Sequence, residues 1–275
     1  VGYFSSELVQ NGNFSELGSD VVLNGNFDNG STSWTLIGDV SIGNGVCTFF
    51  DTGSNTNSRL VQVGITANKT YKVVFSVTRY VAGRVQLIFG GASAVNVDIS
   101  AGVGTYTAYV TAGGSTQWEI KRDGTFPNFD FDIDNVSVKQ VDPNDRWEAV
   151  GNSTLNFADF QGKSQVAKIN ITDTSTGSRI RQPFNYVSGT KYKISVEVYL
   201  VSGNFRVDTS NSFVNIDFVT TSTTGSWITL EATYDAISTG SHYIWLRSSN
   251  TVSEFYVSNI SVVEVQGDRP RLSYD

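Results

Sequence analysis

One pattern that the chain contains twice constrains its fold more than any other feature. The pattern spans residues 58–87 and 178–207, and each copy opens with Ser-Arg, passes a turn, and enters a long segment in which apolar and polar residues alternate. A glycine-centred turn and a further apolar segment follow in both copies. Alternation with a period of two is typical of β-strands with one buried face. The repeat therefore predicts two copies of one β-domain.

Length and composition agree with this prediction. The 275 residues are enough for two domains of about 100 to 150 residues each. Charged residues make up only 16% of the chain while aromatic residues reach 12%, a mixture that favours strands joined by turns. No segment shows a sustained helical period. We therefore predict an all-β fold of two tandem antiparallel β-sandwich (jelly-roll) modules with almost no helix.

The boundaries follow from a proline in a polar segment and from a second, shorter repeat. Pro143 cannot donate to a strand ladder, so the first module should span residues 21–142 and the second residues 143–266. The sequence N-G-N-F occurs at residues 11–14 and again at residues 24–27, but not directly before Trp147, where the second module starts. We assign the later copy to the first module. Residues 1–20 are then interpreted as a linker or a remnant of an upstream module, and residues 267–275 as a connector.

Charge, cysteine content and hydropathy exclude several classes of protein. A net charge of −7 and a pI near 4.7 disfavour nucleic acid, which needs a cationic surface. Cys47 is the only cysteine, so no disulfide can form within the chain. No apolar run approaches the roughly 20 residues of a membrane span, and the first residues do not resemble a signal peptide. Because methionine is absent even at position 1, we expect a piece of a longer chain or a processed product.

The sequence does not predict catalysis. His242 is the only histidine and has no evident nucleophile beside it, so Ser-His and Cys-His mechanisms lack a component. No metal-hydrolase cluster is present either. The 26 acidic residues include enough carboxylates for a glycosidase pair, but no long insertion exists to build a closed pocket. We therefore expect a protein without enzymatic activity.

Three motifs of the first module carry a resemblance to a known family. They are L-N-G-N-F at residues 23–27, followed by a tryptophan; T-Y-K-V-V-F-S-V at residues 70–77; and F-D-I-D-N-V-S-V at residues 131–138. Together they resemble carbohydrate-binding modules of the family 4, 9 and 22 group, which are galactose-binding-like jelly rolls. This resemblance implies non-catalytic binding of a cell-surface or extracellular polysaccharide.

Other short strings are similar to phage virion proteins, especially tail fibres. They are the doubled N-G-N-F opening, D-P-N-D-R-W at residues 142–147, and D-R-P-R-L-S-Y-D at residues 268–275. The resemblance implies a larger extracellular or virion-associated protein. The alternative to glycan binding is a structural spacer or decoration protein of a virion or adhesin, whose outer faces bind protein neighbours, such as subunits of a homo-oligomer, rather than sugar. Rings that lie open in a groove would favour sugar, and rings covered by another chain would favour assembly.

Alternation assigns the side chains of the second module to an inner and an outer face. Ile194, Val196 and Val198 form an inward row, and Ile244 and Leu246 form another, so the intervening residues should point outward. If these strands are neighbours, as in the concave sheet of the resembling family, they gather one carbohydrate site. Its predicted residues are Glu197, Tyr199, Arg206, Asp208, Tyr243, Trp245 and Arg247. Aromatic rings would cover a sugar ring and charged groups would bind its hydroxyls; alternatively, these side chains form ordinary cross-strand pairs.

The first module offers a poorer groove. Its predicted carbohydrate-binding residues are Tyr80, Arg84 and Gln86, of which only Tyr80 can stack on a sugar. A polar strand face is also the ordinary outer surface of a half-buried sheet, so the two interpretations stay open.

The family resemblance also implies a structural calcium ion in the first module. The matching ligands are Asp28, after the opening Phe, and Asp134 in the closing strand, with the carbonyl of Asn26 as a further oxygen. Alternatively, Asp28 belongs to a D-N-G turn and Asp134 is an exposed strand residue. The second module carries Ser258 in place of Asp134 and is expected to bind no calcium.

Overall fold

The computed structural model describes residues 3–53, 57–174, 177–209, 213–214 and 219–266. These residues contain strands β1 to β23 and no helix, and the strands form four sheets with antiparallel pairing. The predicted all-β fold of antiparallel β-sandwiches is confirmed. None of the described residues belongs to a helix that could cross a membrane.

The strands are numbered along the chain. Their bounds are β1 Tyr3–Phe4, β2 Leu17–Asp20, β3 Thr35–Ile37, β4 Val40–Gly43, β5 Val46–Phe50, β6 Arg59–Val63, β7 Thr70–Ala82, β8 Val85–Phe89, β9 Val95–Val97, β10 Gly104–Thr111, β11 Gln117–Arg122, β12 Asp130–Val141, β13 Glu148–Val150, β14 Ser153–Phe160, β15 Lys163–Ile171, β16 Arg179–Tyr186, β17 Lys191–Ser202, β18 Phe205–Thr209, β19 Phe213–Val214, β20 Val219–Thr221, β21 Trp227–Ala236, β22 Gly240–Arg247 and β23 Ser253–Gln266.

The chain divides into two compact units, and one of them is discontinuous in sequence. We call Leu17–Pro143 the continuous module. The described residues of Val1–Glu16 and Asn144–Asp275 form the other unit, which we call the split module. The continuous module therefore interrupts the sequence of the split module.

The continuous module is a sandwich of two sheets around an apolar core. One sheet has the order β10-β7-β12-β5-β4, with β2 beside β12, and the other has the order β3-β6-β11-β8-β9. Val73, Phe75 and Val77 of β7 are buried, as are Trp118 and Ile120 of β11. These are the inward rows that alternation predicts, because successive side chains of a strand point to opposite faces.

The split module has the same design. Its larger sheet has the order β14-β15-β23-β17-β21-β19, with β1 beside β23, and its five-stranded sheet has the order β13-β16-β22-β18-β20. Ile194 and Val196 of β17 are buried while Tyr199 is half-buried, and Ile244 and Leu246 of β22 are fully buried. The predicted inner rows are thus confirmed in this module as well.

The first N-G-N-F segment completes the split module. Phe14 is fully buried, and its ring centroid lies 5.3 Å from that of Trp147. The indole Nε1 of Trp147 donates to the carbonyl of Asn11 at 3.0 Å, and the amide of Ile260 donates to the carbonyl of Gly12 at 2.9 Å. A Cβ on Gly12 would lie 2.1 Å from the carbonyl oxygen of Ile260, so only glycine fits there.

The second N-G-N-F segment makes the same contacts in the continuous module. Phe27 lies 5.5 Å from Trp34, whose Nε1 donates to the carbonyl of Asn24 at 2.9 Å. The amide of Val136 donates to the carbonyl of Gly25, also at 2.9 Å. The two segments are therefore equivalent openings of two sandwiches.

This arrangement corrects the interpretation of residues 1–20 as a linker or an upstream remnant. Residues 3–16 belong to the split module, and Leu17–Asp20 form β2 of the continuous module. The N-G-N-F segment that the second module lacks directly before Trp147 is supplied by residues 11–14. Sequence proximity suggested otherwise because the two parts of the split module are separated by a whole domain.

Candidate functional site

The predicted carbohydrate site of the split module does not form as one cluster. Glu197 and Tyr199 lie on β17, which pairs with β21 and β23 in the larger sheet. The other five predicted residues lie on β18 and β22 of the five-stranded sheet. Outward side chains of the two sheets of a sandwich point in opposite directions, so the seven residues cannot share one ligand. The prediction that they gather is wrong because β17 does not neighbour β22.

A different cluster lies on the outer face of the five-stranded sheet. In its register Trp245 of β22 lies opposite both Arg181 of β16 and Asp208 of β18. We call this cluster the arginine–aromatic strip. Its members are Glu148, Arg179, Arg181, Arg206, Asp208, Tyr243, Trp245 and Arg247.

Sequence reasoning missed three members of the strip. They are Glu148, Arg179 and Arg181. The signal for the two arginines was present, because Ile180 is fully buried and its two neighbours in an alternating strand must then point outward. The partner strand was not known from sequence, and so the link from these arginines to Trp245 was not apparent.

The arginines of the strip lie against its aromatic rings. The guanidinium carbon of Arg179 is 4.5 Å from the ring centroid of Trp245, and that of Arg247 is 5.5 Å from the same centroid. Arg181 lies 4.2 Å from the ring centroid of Tyr243. Cations attract the negative faces of aromatic rings, so these contacts hold the long arginine side chains in place.

Ion pairs fix the strip further but do not neutralise it. Asp208 is only 4% exposed and pairs with Arg206 at 3.1 Å and with Arg247. Arg181 pairs with Glu148 at 2.8 Å. The four guanidinium groups thus face two carboxylates, and the strip carries excess positive charge in a chain whose formal net charge is −7.

The pKa values of Arg179 and Arg206 are consistent with this excess, whereas the hydrogen bond to Glu148 raises the pKa of Arg181. Burial lowers the pKa of Arg179, and the nearby charges of Arg181 and Arg247 lower it further. Burial also lowers the pKa of Arg206, and Asp208 opposes this effect while Arg247 adds to it. A guanidinium group remains charged at neutral pH despite such shifts. The strip is therefore a fixed cationic surface.

A polar pocket continues the same face beyond the strip. Pro183 of β16 lies opposite Tyr243, and two residues further along their strands Asn185 and Ser241 are paired. Pro183, Asn185 and Ser241 line a cavity of about 350 Å³. Its other polar lining residues include Gln10, Asn144, Arg146 and Gln182. The N-terminal segment of the split module therefore helps to build the pocket.

Glu197 and Tyr199 belong to a second cluster on the outer face of the larger sheet. The rings of this cluster are Phe160, Tyr199, Trp227 and Tyr256. Phe160 and Tyr256 stack with their centroids 3.7 Å apart, so much of the aromatic surface is covered by other rings. Sequence reasoning found only Tyr199 because the other three rings lie on different strands.

The carboxylate of Glu197 is occupied by protein donors. Lys163 donates to it at 2.8 Å, and the hydroxyl of Ser258 donates to the same oxygen. Burial alone would raise the pKa of Glu197, but these hydrogen bonds and the charge of Lys163 lower it below its ordinary value. Glu197 is therefore an ionised partner of Lys163.

The five-stranded sheet of the continuous module has no equivalent of the strip. Its strands β3, β6, β11 and β8 pair in the register of β13, β16, β22 and β18, so positions can be matched directly. Gln117 and Glu119 stand where the split module has Tyr243 and Trp245, and Val61 stands where it has Arg181. No aromatic ring occupies the matched outer positions.

Tyr80 does not face outward as predicted. Val77 pairs with Ile133, but the next pairs are Arg79 with Asp132 and Tyr80 with Phe131, which leaves Thr78 as an extra residue. Such a β-bulge reverses the alternation beyond it. Tyr80 therefore packs against the core, and its hydroxyl donates to the carbonyl of Gly83 at 3.2 Å.

Arg84 and Gln86 come together, but around a buried acid. Arg84 Nε donates to Asp123 at 2.6 Å, and Gln86 Nε2 donates to its other carboxylate oxygen at 3.1 Å. Asp123 is only 1% exposed. Burial would raise its pKa, but hydrogen bonds from Thr125 and Arg84 lower it. With Tyr80 in the core, the predicted trio of the continuous module does not form a sugar-binding groove.

The carboxylates of the predicted calcium site have hydrogen-bond partners within the protein. Asn26 Nδ2 donates to Asp28 at 2.5 Å. Asp134 accepts hydrogen bonds from the amide and the side chain of Asn135 at 2.6 and 2.9 Å. Within the described ranges, no group of three or more His, Cys, Asp or Glu residues is arranged to hold a metal. Calcium binding stays a prediction from the family resemblance.

If calcium binds Asp28 and Asp134, it should raise the melting temperature of the continuous module, and a chelator should reverse the rise. Calcium at about 100 times its dissociation constant would contribute about 2.7 kcal/mol. Differential scanning calorimetry of the protein and of Asp28→Asn measures this effect, which the variant should lack. A melting temperature that is indifferent to calcium would contradict the prediction.

Comparisons with known proteins return carbohydrate-binding modules among the solved structures. The tandem CBM22-1–CBM22-2 domain of Xyn10C from Paenibacillus barcinonensis is 12% identical, with 91% of this chain and 99% of that chain covered and a TM-score of 0.34. The CBM22-1 xylan-binding domain of the same protein is 16% identical over 44% of this chain and 87% of that chain, with a TM-score of 0.34.

A third similar structure is the CBM22-1–GH10 part of xylanase 10B from Clostridium thermocellum. It is 18% identical over 43% of this chain and 26% of that chain, with a TM-score of 0.35. No protein-family model matches the sequence, and no curated protein matches it significantly. The structural similarities are distant and carry no ligand or activity to this chain.

Proposed function

We propose that the arginine–aromatic strip binds a cell-surface or extracellular polysaccharide without cleaving it, as part of a larger extracellular or virion-associated protein. One observation carries the proposal. The strip places Tyr243 and Trp245 beside four guanidinium groups on one outer face, where such a combination suits sugar rings and hydroxyls.

The continuous module supplies an internal comparison that supports this proposal. Both five-stranded sheets have the same strand order and register, so the fold alone imposes similar demands on their outer faces. The matched positions nevertheless hold Gln117 and Glu119 in one module and Tyr243 and Trp245 in the other. The rings are therefore not required to build this sheet. A role in binding explains why one copy carries them.

The adjacent pocket extends the proposed site. A polysaccharide is a linear ligand, and the outer row from Arg179 to Asn185 extends for about 20 Å at the usual rise of a strand. The amide groups of Gln10 and Asn185 lie at one end of this row. Amides can donate to and accept from sugar hydroxyls. The strip and the pocket together give a chain-like ligand a continuous path.

Replacing Trp245 with alanine should weaken polysaccharide binding by about tenfold or more, equivalent to about 1.4 kcal/mol. The reason is that the ring supplies apolar surface and also positions Arg179 and Arg247. A glycan array identifies ligands for the unaltered protein, and isothermal titration calorimetry then measures the variant. Trp227→Ala is the matched control, because Trp227 is also a half-buried tryptophan but lies in the larger sheet.

Equal weakening by Trp245→Ala and Trp227→Ala would contradict this assignment. The oligomeric state, measured by sedimentation, distinguishes polysaccharide binding from the alternative role as a structural protein. If Trp245→Ala dissociates a homo-oligomer and the unaltered protein binds no glycan, the strip is a contact between subunits and the proposed function is wrong.

A further inference from the structure

We infer that the arginine–aromatic strip selects acidic polysaccharides, whose sugars carry carboxylate or sulfate groups, over neutral ones. This inference rests on the proposed function, since it concerns the ligand class of the same site. It depends on the charged and aromatic residues of this face and on their differences from the sister sheet, and not on the family resemblance.

The strip has a local excess of cations. Four arginines share the strip with Asp208 and Glu148 only. In the described part of the chain Arg179 makes no ion pair: its side chain donates to the carbonyl of Gly177 at 3.1 Å and lies against the ring of Trp245. Glu148, whose charge acts on Arg179, pairs with Arg181 instead. An acidic ligand would place a further negative charge beside Arg179.

The kind of cation in the strip also favours an acidic ligand. Every cationic member of the strip is arginine, although the chain also contains lysines. A guanidinium group can stack on a ring with its plane and still present its N–H edge to a carboxylate or sulfate in a bidentate contact. Arg179 and Arg181 both lie against rings, which restricts their movement before a ligand arrives. Preorganised donors lose less entropy on binding.

The fold does not need these arginines. The positions of Arg181 and Arg206 in the split module are occupied by Val61 and Gln86 in the continuous module. Only the position of Arg179 carries an arginine in both, and Arg59 there has a carboxylate partner in Glu119 at 3.4 Å. The split module therefore concentrates charge where its sister sheet is stable without it.

The test is a calorimetric titration of the full chain with polygalacturonic acid, dextran sulfate and neutral dextran. We expect binding to at least one of the two acidic polymers and binding to dextran that is at least tenfold weaker. Polygalacturonic acid carries carboxylates and dextran sulfate carries sulfates, so a comparison of their affinities shows which acidic group the strip binds. Binding to the acidic polymer should weaken as salt rises from about 0.05 M towards about 0.15 M, since exposed charges are increasingly screened.

The double variant Arg179→Gln, Arg181→Gln should weaken binding to the acidic polymer by about tenfold or more, at about 1.4 kcal/mol per factor of ten. Arg59→Gln is the matched control, because Arg59 occupies the equivalent position of the sister sheet. It should leave the affinity unchanged. The salt dependence of the unaltered protein tests the inference even if the double variant does not fold.

The acidic preference and the proposed function can be contradicted separately. Binding to dextran as strong as to the acidic polymers would overturn the acidic preference and leave polysaccharide binding intact. Equal binding of polyglutamate, which has carboxylates but no sugar, would reduce the strip to a general polyanion site and also overturn the inference. An array and a titration in which no polysaccharide binds would overturn the proposed function itself.

Discussion

Replacing Phe14 with alanine is expected to destabilise the split module by about 3 to 5 kcal/mol, the usual cost of removing a fully buried phenylalanine side chain. Phe14 has no exposed surface, and its ring packs against Trp147 at 5.3 Å and Phe157 at 6.5 Å. A loss of this size is a large fraction of the stability of an ordinary domain. Hydrogen exchange measured strand by strand should show faster exchange in β15, β17 and β23.

Two controls make this result specific. Phe27→Ala removes the equivalent ring of the continuous module, so its effect should appear in β5, β7 and β12 instead. Phe4→Ala removes a ring that is 52% exposed, and a change within about 0.5 kcal/mol is expected. If Phe14→Ala left β17 and β23 unchanged, residues 3–16 would not be part of the split module.

Replacing Asp208 with alanine is expected to cost about 3 kcal/mol of the stability of the split module. Asp208 is 4% exposed and pairs with Arg206 and Arg247. Removing one partner of a buried ion pair typically costs about 3 to 5 kcal/mol because the remaining charge loses its compensation. The side chains of Arg206 and Arg247 remain 19% and 14% exposed, so water can still hydrate their charges. We therefore expect a loss at the lower end of this range. Urea denaturation followed by circular dichroism measures the loss.

The sister sheet provides a sharp control for Asp208. The positions of Arg206, Asp208 and Arg247 are occupied there by Gln86, Ile88 and Lys121. A triple variant that copies these residues should recover part of the lost stability, since it replaces the buried carboxylate with an apolar side chain and removes the charge of Arg206, while the lysine at position 247 keeps one positive charge. A triple variant as unstable as Asp208→Ala would show that the loss does not come from the uncompensated charge of Arg206.

The outer-face residues illustrate which parts of a site sequence can predict. Tyr243, Trp245 and Arg247 were assigned to an outer face from alternation alone, and Ile244 and Leu246 between them are fully buried. The same reasoning placed Tyr80 outward, but the bulge at Thr78 turned it to the core. The alternation of apolar and polar residues does not show where a strand has one extra residue opposite its partner. Face assignment is thus reliable only as far as the pairing is regular.

Strand neighbours were the weaker part of the prediction. Glu197 and Tyr199 were grouped with Trp245 on the assumption that β17 and β22 are adjacent, whereas β17 pairs with β21 and β23. Conversely, the predicted site does not include Arg179 and Arg181, although they lie against Trp245 and Tyr243. Which strands pair depends on contacts between distant residues, and the sequence of a single strand does not encode its partner.

The sequence by itself determined that this protein is built from two β-sandwiches and which side chains of its regular strands are buried. Those properties follow from the period of two and from the internal repeat, both of which are local in the chain. Only the tertiary structure decided that residues 11–14 pack in the split module. In the sequence, the whole continuous module lies between these residues and the rest of the split module. The tertiary structure also decided that four arginines and two rings share one sheet face. Both results depend on packing between segments that are far apart in sequence, where burial and hydrogen bonding select the partner.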